Sequence, residues 1–72
     1  PEQGVQGKVV VQFIVGVHGE ILNPVVVKSV DPYLDKEAIR VISSMPKWKP
    51  GKQRGKAVRV KYTVPVVFRL QS

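Results

Sequence analysis

The stretch that decides the fold is VRVKYTVPVVFRL, residues 58–70. Apolar side chains occupy every second position from Val58 to Leu70, and the positions between them are mostly polar or charged. Strict alternation over this length is typical of a β-strand with one buried face and one solvated face. The sequence therefore predicts a long, half-buried strand at the end of the chain.

Two more strands are predicted upstream. The first is KVVVQFIV, residues 8–15, because its β-branched residues and phenylalanine suit a pleated sheet and the run is too short for a capped helix. Turn residues 16–19 lead into a second strand from Ile21 to about Ser29. Pro24 cannot donate a ladder hydrogen bond, so this strand is expected to be an edge strand or to bulge there.

One amphipathic helix is predicted between the second and the last strand. Asp31 can cap its first N–H groups, Pro32 fits the first helical position, and Pro46 ends it. Its apolar stripe consists of Leu34, Ala38, Val41, Ile42 and Met45. Residues 46–56 are predicted to be a basic loop punctuated by proline and glycine.

This order predicts an α+β fold of β-β-α-β type. One helix packs on one face of a three-stranded antiparallel sheet. The first strand is the most apolar, so we expect it at the centre, with the other two strands at the edges. Residues 1–72 are expected to form a single domain with its core at about residues 5–70.

Composition excludes several classes of function. The chain has 72 residues, one histidine and no cysteine, which removes disulfides, thiolate metal sites and cysteine nucleophiles. We expect no enzyme, no metal, no cofactor and no small-molecule substrate. No run approaches the roughly 20 apolar residues of a membrane span, and we expect no membrane contact by this domain itself. Because the chain begins at Pro1, we interpret it as a processed or excised part of a longer protein.

The charge is unevenly placed. The net charge is +7, and residues 36–72 hold ten of the twelve lysines and arginines but only one acidic residue, Glu37. This asymmetry indicates nucleic acid, an anionic surface or an acidic partner, or else a solvated basic face that maintains solubility.

Several segments, taken in order, resemble the C-terminal domain family of TonB, the periplasmic energy transducers of Gram-negative bacteria. They are GKVVVQFIV (7–15), GEI (19–21), VVVKS (25–29), LDKEA (34–38), WKPG (48–51), GK (55–56) and YTVPVVF (62–68). The most specific combination is a Trp-x-Pro-Gly loop between a helix and a strand that ends in Pro-x-x-Phe. His18 departs from the family, which often has aspartate in this turn.

The resemblance implies a protein-binding module of the periplasm. Similar domains bind the TonB box, a short extended segment of outer-membrane TonB-dependent transporters, as an added strand on the third strand. They couple it to the proton-driven ExbB–ExbD complex through upstream segments. The resemblance thus implies a protein anchored in the inner membrane and active in transport.

We expect the partner-binding edge along the last strand, at Val58, Arg59, Val60, Lys61, Tyr62, Thr63, Val64 and Pro65. Pro65 has no N–H group, so its backbone should face away from the first strand. Strand alternation then turns the backbones of Arg59, Lys61 and Thr63 to the free edge. The backbones expected to bond the first strand are those of Val58, Val60, Tyr62 and Val64. The motif loop, Trp48, Pro50 and Gly51, is expected to be mainly structural.

Two alternatives remain open. The same fold occurs in TonB-like domains fused to membrane signalling proteins and in TolA-like envelope proteins. A basic nucleic-acid-binding module is the alternative from another class. It is weakened because single-strand binding needs exposed aromatic rings, and the strand aromatics here share the apolar face. Lysine, arginine and proline on an edge strand also protect against aggregation.

Overall fold

The computed structural model describes residues 6–69. In chain order the elements are β1 (Gly7–Val15), β2 (Ile21–Lys28), α1 (Pro32–Ser43), β3 (Gly51–Gln53), β4 (Lys56–Val58) and β5 (Val60–Phe68). The main sheet is antiparallel in the order β2-β1-β5, and β3 pairs with β4 in a small second sheet. The predicted α+β fold with a central first strand is confirmed. Leu70, the predicted end of the last strand, lies outside the described residues.

Helix α1 begins where the sequence predicts. The Asp31 side chain accepts hydrogen bonds from the N–H groups of Tyr33 at 2.8 Å and Leu34 at 3.2 Å. These bonds satisfy two of the four backbone donors that a helix start leaves without partners. Pro32 occupies the first helical position, where a missing N–H group costs nothing.

The core lies between α1 and one face of the sheet. Its buried side chains are Val9, Val11, Phe13 and Val15 from β1 and Leu34, Ala38 and Ile42 from α1. All seven follow the predicted strand alternation and helical spacing. At the margin of the stripe, Ile39 packs against the core and Val41 does not, so the prediction of Val41 is corrected.

The last strand is not one strand, which corrects two predictions. Val58 lies in β4 and pairs with Gly51, not with β1, and Arg59 lies between β4 and β5. The break has a simple cause: β1 ends at Val15, opposite Val60, so residues before Val60 have no β1 partner. They pair with residues 51–53 instead, within the segment predicted to be a loop.

A tight turn closes this hairpin. Arg54 and Gly55 connect β3 to β4, with φ angles of 53° and 78°. Two consecutive residues with positive φ are typical of the type I′ turn, whose twist matches that of paired strands. Glycine adopts this conformation without steric cost, whereas arginine does not.

A candidate strand-binding edge

Strand β5 has a regular free edge. It pairs with β1 on one side, and no strand pairs with its other side within residues 6–69. Its pairing with β1 runs without a register shift from Val60, opposite Val15, to Phe68, opposite Gly7. A straight row of unpaired backbone groups is a template for a partner strand.

Pro65 indicates which backbone groups face this edge. It lies opposite Val10 in the β1–β5 ladder. Because proline has no N–H group, this position suits a pair that does not exchange hydrogen bonds, with the Pro65 backbone turned to the free edge. Alternation then turns the backbones of Lys61, Thr63 and Val67 the same way, and those of the residues between them toward β1.

The predicted edge residues do not all lie in the same element. Val58 and Arg59 fall outside β5, and the other six lie in it: Val60, Lys61, Tyr62, Thr63, Val64 and Pro65. The side chains of Lys61, Thr63 and Pro65 are exposed on the face away from the helix. Those of Val60, Tyr62 and Val64 are half-buried on the helix side.

The opposite edge of the sheet, formed by β2, is irregular. Its pairing with β1 contains register shifts between Val10 and Val11 and between Gln12 and Ile14. Pro24 lies within β2, and Asn23 has a φ of 50°, which is left-handed. Bulges and proline discourage the addition of another strand. The two edges therefore differ, and β5 is the one that suits an added strand.

An aromatic cluster supports β5 from the helix side. The Trp48 ring lies 5.1 Å from that of Phe13, edge to face, and 5.2 Å from that of Tyr62. The backbone N–H of Trp48 also donates to the carbonyl of Gly19 at 2.9 Å, which ties the motif loop to the β1–β2 turn. Trp48 is thus packed against the core.

The other two residues of the motif loop direct the chain into the hairpin. Pro50 is half-buried, and Gly51 is the first residue of β3. A Cβ atom on Gly51 would lie 2.4 Å from Cγ2 of Val60. Gly51 therefore allows β3 to approach the start of β5 more closely than another residue would.

Replacing Trp48 with alanine is expected to destabilise the domain by about 3–5 kcal/mol, because it removes the ring that packs on Phe13 and Tyr62. Urea unfolding followed by circular dichroism measures the loss. Tyr33→Ala is the matched control, because Tyr33 is 55% exposed and its loss should change stability by less than about 0.5 kcal/mol. A Trp48→Ala domain as stable as the control would contradict the structural role.

Charges near the motif loop are partly paired. The Glu20 carboxylate accepts a hydrogen bond from the backbone N–H of His18 at 2.9 Å. The pKa of Glu20 is lowered, first by a hydrogen bond from its own backbone N–H and then by His18 and the nearby Lys47 charge. On α1, Arg40 binds Glu37 at 2.7 Å. No acidic residue follows Glu37, so Lys61 and the rest of the later chain have no acidic neighbour in sequence.

Residues 6–69 hold neither a cluster of metal ligands nor a membrane-spanning helix. That part of the chain contains no group of three or more His, Cys, Asp or Glu residues that could hold a metal ion. It also contains no helix that is long and apolar enough to cross a membrane.

Comparison with known proteins gives one match. A family model described as "Gram-negative bacterial TonB protein C-terminal" matches residues 1–70. Searches of curated proteins and of solved structures return no match. The family match includes the motif loop, the hairpin and all of β5.

Proposed function

Because this chain belongs to the family of Gram-negative bacterial TonB protein C-terminal domains, we propose that it binds the TonB box of outer-membrane transporters by adding a strand to β5. Domains of this family are protein-interaction modules of the Gram-negative envelope. In our proposal, residues 1–72 act as one periplasmic domain of an inner-membrane protein. Upstream segments contact ExbB–ExbD and couple the proton motive force to transport.

The observation that carries the proposal is the regular free edge of β5. A segment added there would pair with the backbone groups of Lys61, Thr63 and Val67 and with the Pro65 carbonyl. Each such hydrogen bond contributes about 0.5–1.5 kcal/mol net, so several together give a specific but reversible complex. Main-chain pairing tolerates varied side chains, which suits one module that serves several transporters.

The side chains around this edge favour a particular kind of segment. Lys61 lies on the exposed face of β5, and Arg59 precedes the strand. Opposite charges on neighbouring strands attract and like charges repel, so an acidic or neutral segment would bind better than a basic one. No catalytic step, cofactor or small-molecule substrate is part of this proposal.

A backbone amide NMR titration tests the proposal. The ligand is a short extended peptide with the sequence of a TonB box, and its proline-substituted version is the control. We expect shifts concentrated between Val60 and Val67, with slower hydrogen exchange at Lys61 and Thr63 in the complex. Shifts along β2, or none at millimolar peptide, would contradict it.

The nucleic-acid alternative has less support in the structure. Trp48 and Tyr62 are half-buried and contact Phe13 and each other, which leaves less of either ring available for base stacking. Titration with a single-stranded oligonucleotide at two salt concentrations separates the two functions, because nucleic-acid binding would collapse at high salt. The affinity for a TonB-box peptide should change little with salt, because strand addition depends on main-chain pairing.

A further inference from the structure

The hairpin between the motif loop and β5 carries a dense positive charge. We call residues 49–59 the basic hairpin. This segment comprises β3, β4, the turn between them and the flanking residues. It contains five cations and no acidic residue. All five are exposed: Lys49, Lys52, Arg54, Lys56 and Arg59. The edge function proposed above does not use most of these charges.

The charges surround the hairpin instead of lying on one side. Lys52 is opposite Ala57, and Gln53 is opposite Lys56. Residues directly opposite each other share a face, and successive residues alternate between faces. Lys52 and Lys56 therefore lie on opposite faces, with Arg54 at the turn between them. A flat, rigid partner could contact only one of these faces at a time.

The residue at the tip is unfavourable for the turn that it forms. Arg54 has a φ of 53°, a conformation that asparagine, aspartate or glycine adopts more easily. An exposed arginine there adds a cation at the end of the hairpin without any benefit to the turn itself. This placement is consistent with a role for the charge.

The hairpin offers no enclosed site for a single anion. A depression of about 530 Å³ is lined by Gln53, Arg54, Lys56 and Val58. Three of these residues are exposed and Val58 is half-buried, so none is a buried polar group that could fix a small ligand. The arrangement suits many distributed negative charges more than one localised charge.

We infer that the basic hairpin inserts its tip among the headgroups of a membrane that contains anionic phospholipids. Lipids move laterally, so their phosphates can surround a hairpin that is charged on both faces and at its end. A membrane is also the polyanion that a family of envelope proteins meets, whereas the half-buried rings of Trp48 and Tyr62 disfavour nucleic acid. The inference goes beyond the binding of a peptide and does not depend on it.

This inference revises one expectation from the sequence, that the domain itself makes no membrane contact. That expectation was made alongside the absence of a run of roughly 20 apolar residues. Peripheral binding to headgroups needs no span, and β3 and β4 form a hairpin where the sequence predicts a loop.

Sedimentation with lipid vesicles tests the inference. The vesicles are phosphatidylglycerol and phosphatidylcholine in equal parts, compared with pure phosphatidylcholine, at low and high salt. The hairpin variant is Lys52→Gln/Arg54→Asn/Lys56→Gln. Its matched control, Lys8→Gln/Lys28→Gln/Lys36→Gln, removes three exposed charges elsewhere. Thermal unfolding checks that both variants fold.

We expect the wild-type domain to bind only the anionic vesicles. Each cation in the headgroup layer raises partitioning about fivefold, so the hairpin variant should lose about 100-fold. The control should lose less than about tenfold, because charges more than a Debye length from the surface are largely screened. Equal losses in the two variants, or no binding of the wild type at low salt, would overturn the inference.

A single substitution avoids any doubt about folding. Arg54→Asn removes the tip charge but suits the left-handed turn, so partitioning should fall about fivefold with no loss of thermal stability. Free glycerol phosphate should not displace the vesicles. Displacement by it would indicate a discrete anion site and overturn the inference. Tighter binding of poly-glutamate or single-stranded DNA than of vesicles would also overturn it, in favour of an acidic protein or nucleic acid.

Discussion

The variant Thr63→Pro is expected to fold and yet to lose at least about tenfold in affinity for an extended peptide. The Thr63 N–H faces the free edge of β5 in the alternation set by Pro65, so β1 does not need it. A peptide strand does need it, and the proline ring would also obstruct the edge. The peptide loses one hydrogen bond, and the adjacent hydrogen bond is distorted. Together these changes weaken the binding free energy by about 1.5 kcal/mol or more. NMR or calorimetric titration measures the affinity.

The neighbouring variant Val64→Pro is the matched control, with the opposite expected result. Val64 lies opposite Val11, and the alternation directs its N–H toward β1. Replacing Val64 with proline removes this N–H and leaves a β1 carbonyl in the centre of the sheet without its donor. The loss should cost about 2–3 kcal/mol of stability or more. If Thr63→Pro unfolds as readily as Val64→Pro, the assignment of β5 backbone groups to the two sides is wrong.

The second large effect is expected for Gly19→Ala, which should destabilise the domain by about 3–5 kcal/mol. Gly19 has a φ of 82°, where an L side chain is strained. An added Cβ atom would also lie 2.2 Å from the backbone carbonyl oxygen of Trp48. Backbone cannot rotate away as a side chain can. The motif loop would therefore have to move and strain its hydrogen bond to Gly19.

Gly55→Ala separates the two causes. Gly55 has a φ of 78°, almost the same as Gly19, but nothing lies within 4 Å of the Cβ that alanine would add. Only the conformational cost applies there, about 1–2 kcal/mol. Urea unfolding gives the destabilisation of each variant. The difference between the two values is the cost of the close contact between the added Cβ atom and the Trp48 carbonyl. Equal destabilisation would show that the contact between the loop and the turn contributes nothing.

Most of the fold follows from local sequence patterns. The alternation in β1, the Asp31-Pro32 start of α1 and the stripe at Leu34, Ala38 and Ile42 predict where these elements lie and which sides are buried. Element order then predicts the sheet order, because short connections favour antiparallel neighbours.

The hairpin could not be predicted in the same way. Val58 continues the alternation of β5, so the sequence pattern does not show the break at Arg59. That break depends on where β1 ends, and the sequence around residue 58 does not indicate the end of β1. The turn also lacks its usual signal, because its first position is Arg54 where asparagine or aspartate is common. The glycine at position 55 was the remaining signal.

Contacts between distant residues were predicted only in part. The motif loop is expected to be mainly structural, but the hydrogen bond from the Trp48 backbone N–H to the Gly19 carbonyl joins residues 29 positions apart and leaves no local pattern. Asp35 lies in the first turn of α1. Its carboxylate accepts hydrogen bonds from the Ser29 hydroxyl and the Val30 backbone N–H, which hold the connection after β2 against α1.

The candidate site follows from topology more than from side chains. The position of β5 at an edge comes from element order, and the structure adds that this edge is regular and that the β2 edge is not. Binding at β5 stays a prediction. The prediction that Val58 and Arg59 belong to that strand was wrong, because β1 ends at Val15, opposite Val60.

The contrast between the two edges also limits the valence of the domain. A sheet with one edge that suits an added strand, here called its acceptor edge, can take up only one further strand. Two copies that met through β5 would form a closed pair with both acceptor edges used, and the irregular β2 edges could not extend it into a filament. Such self-association and the capture of a peptide would compete for the same edge. The apparent affinity for peptide should then fall as the concentration of the domain rises.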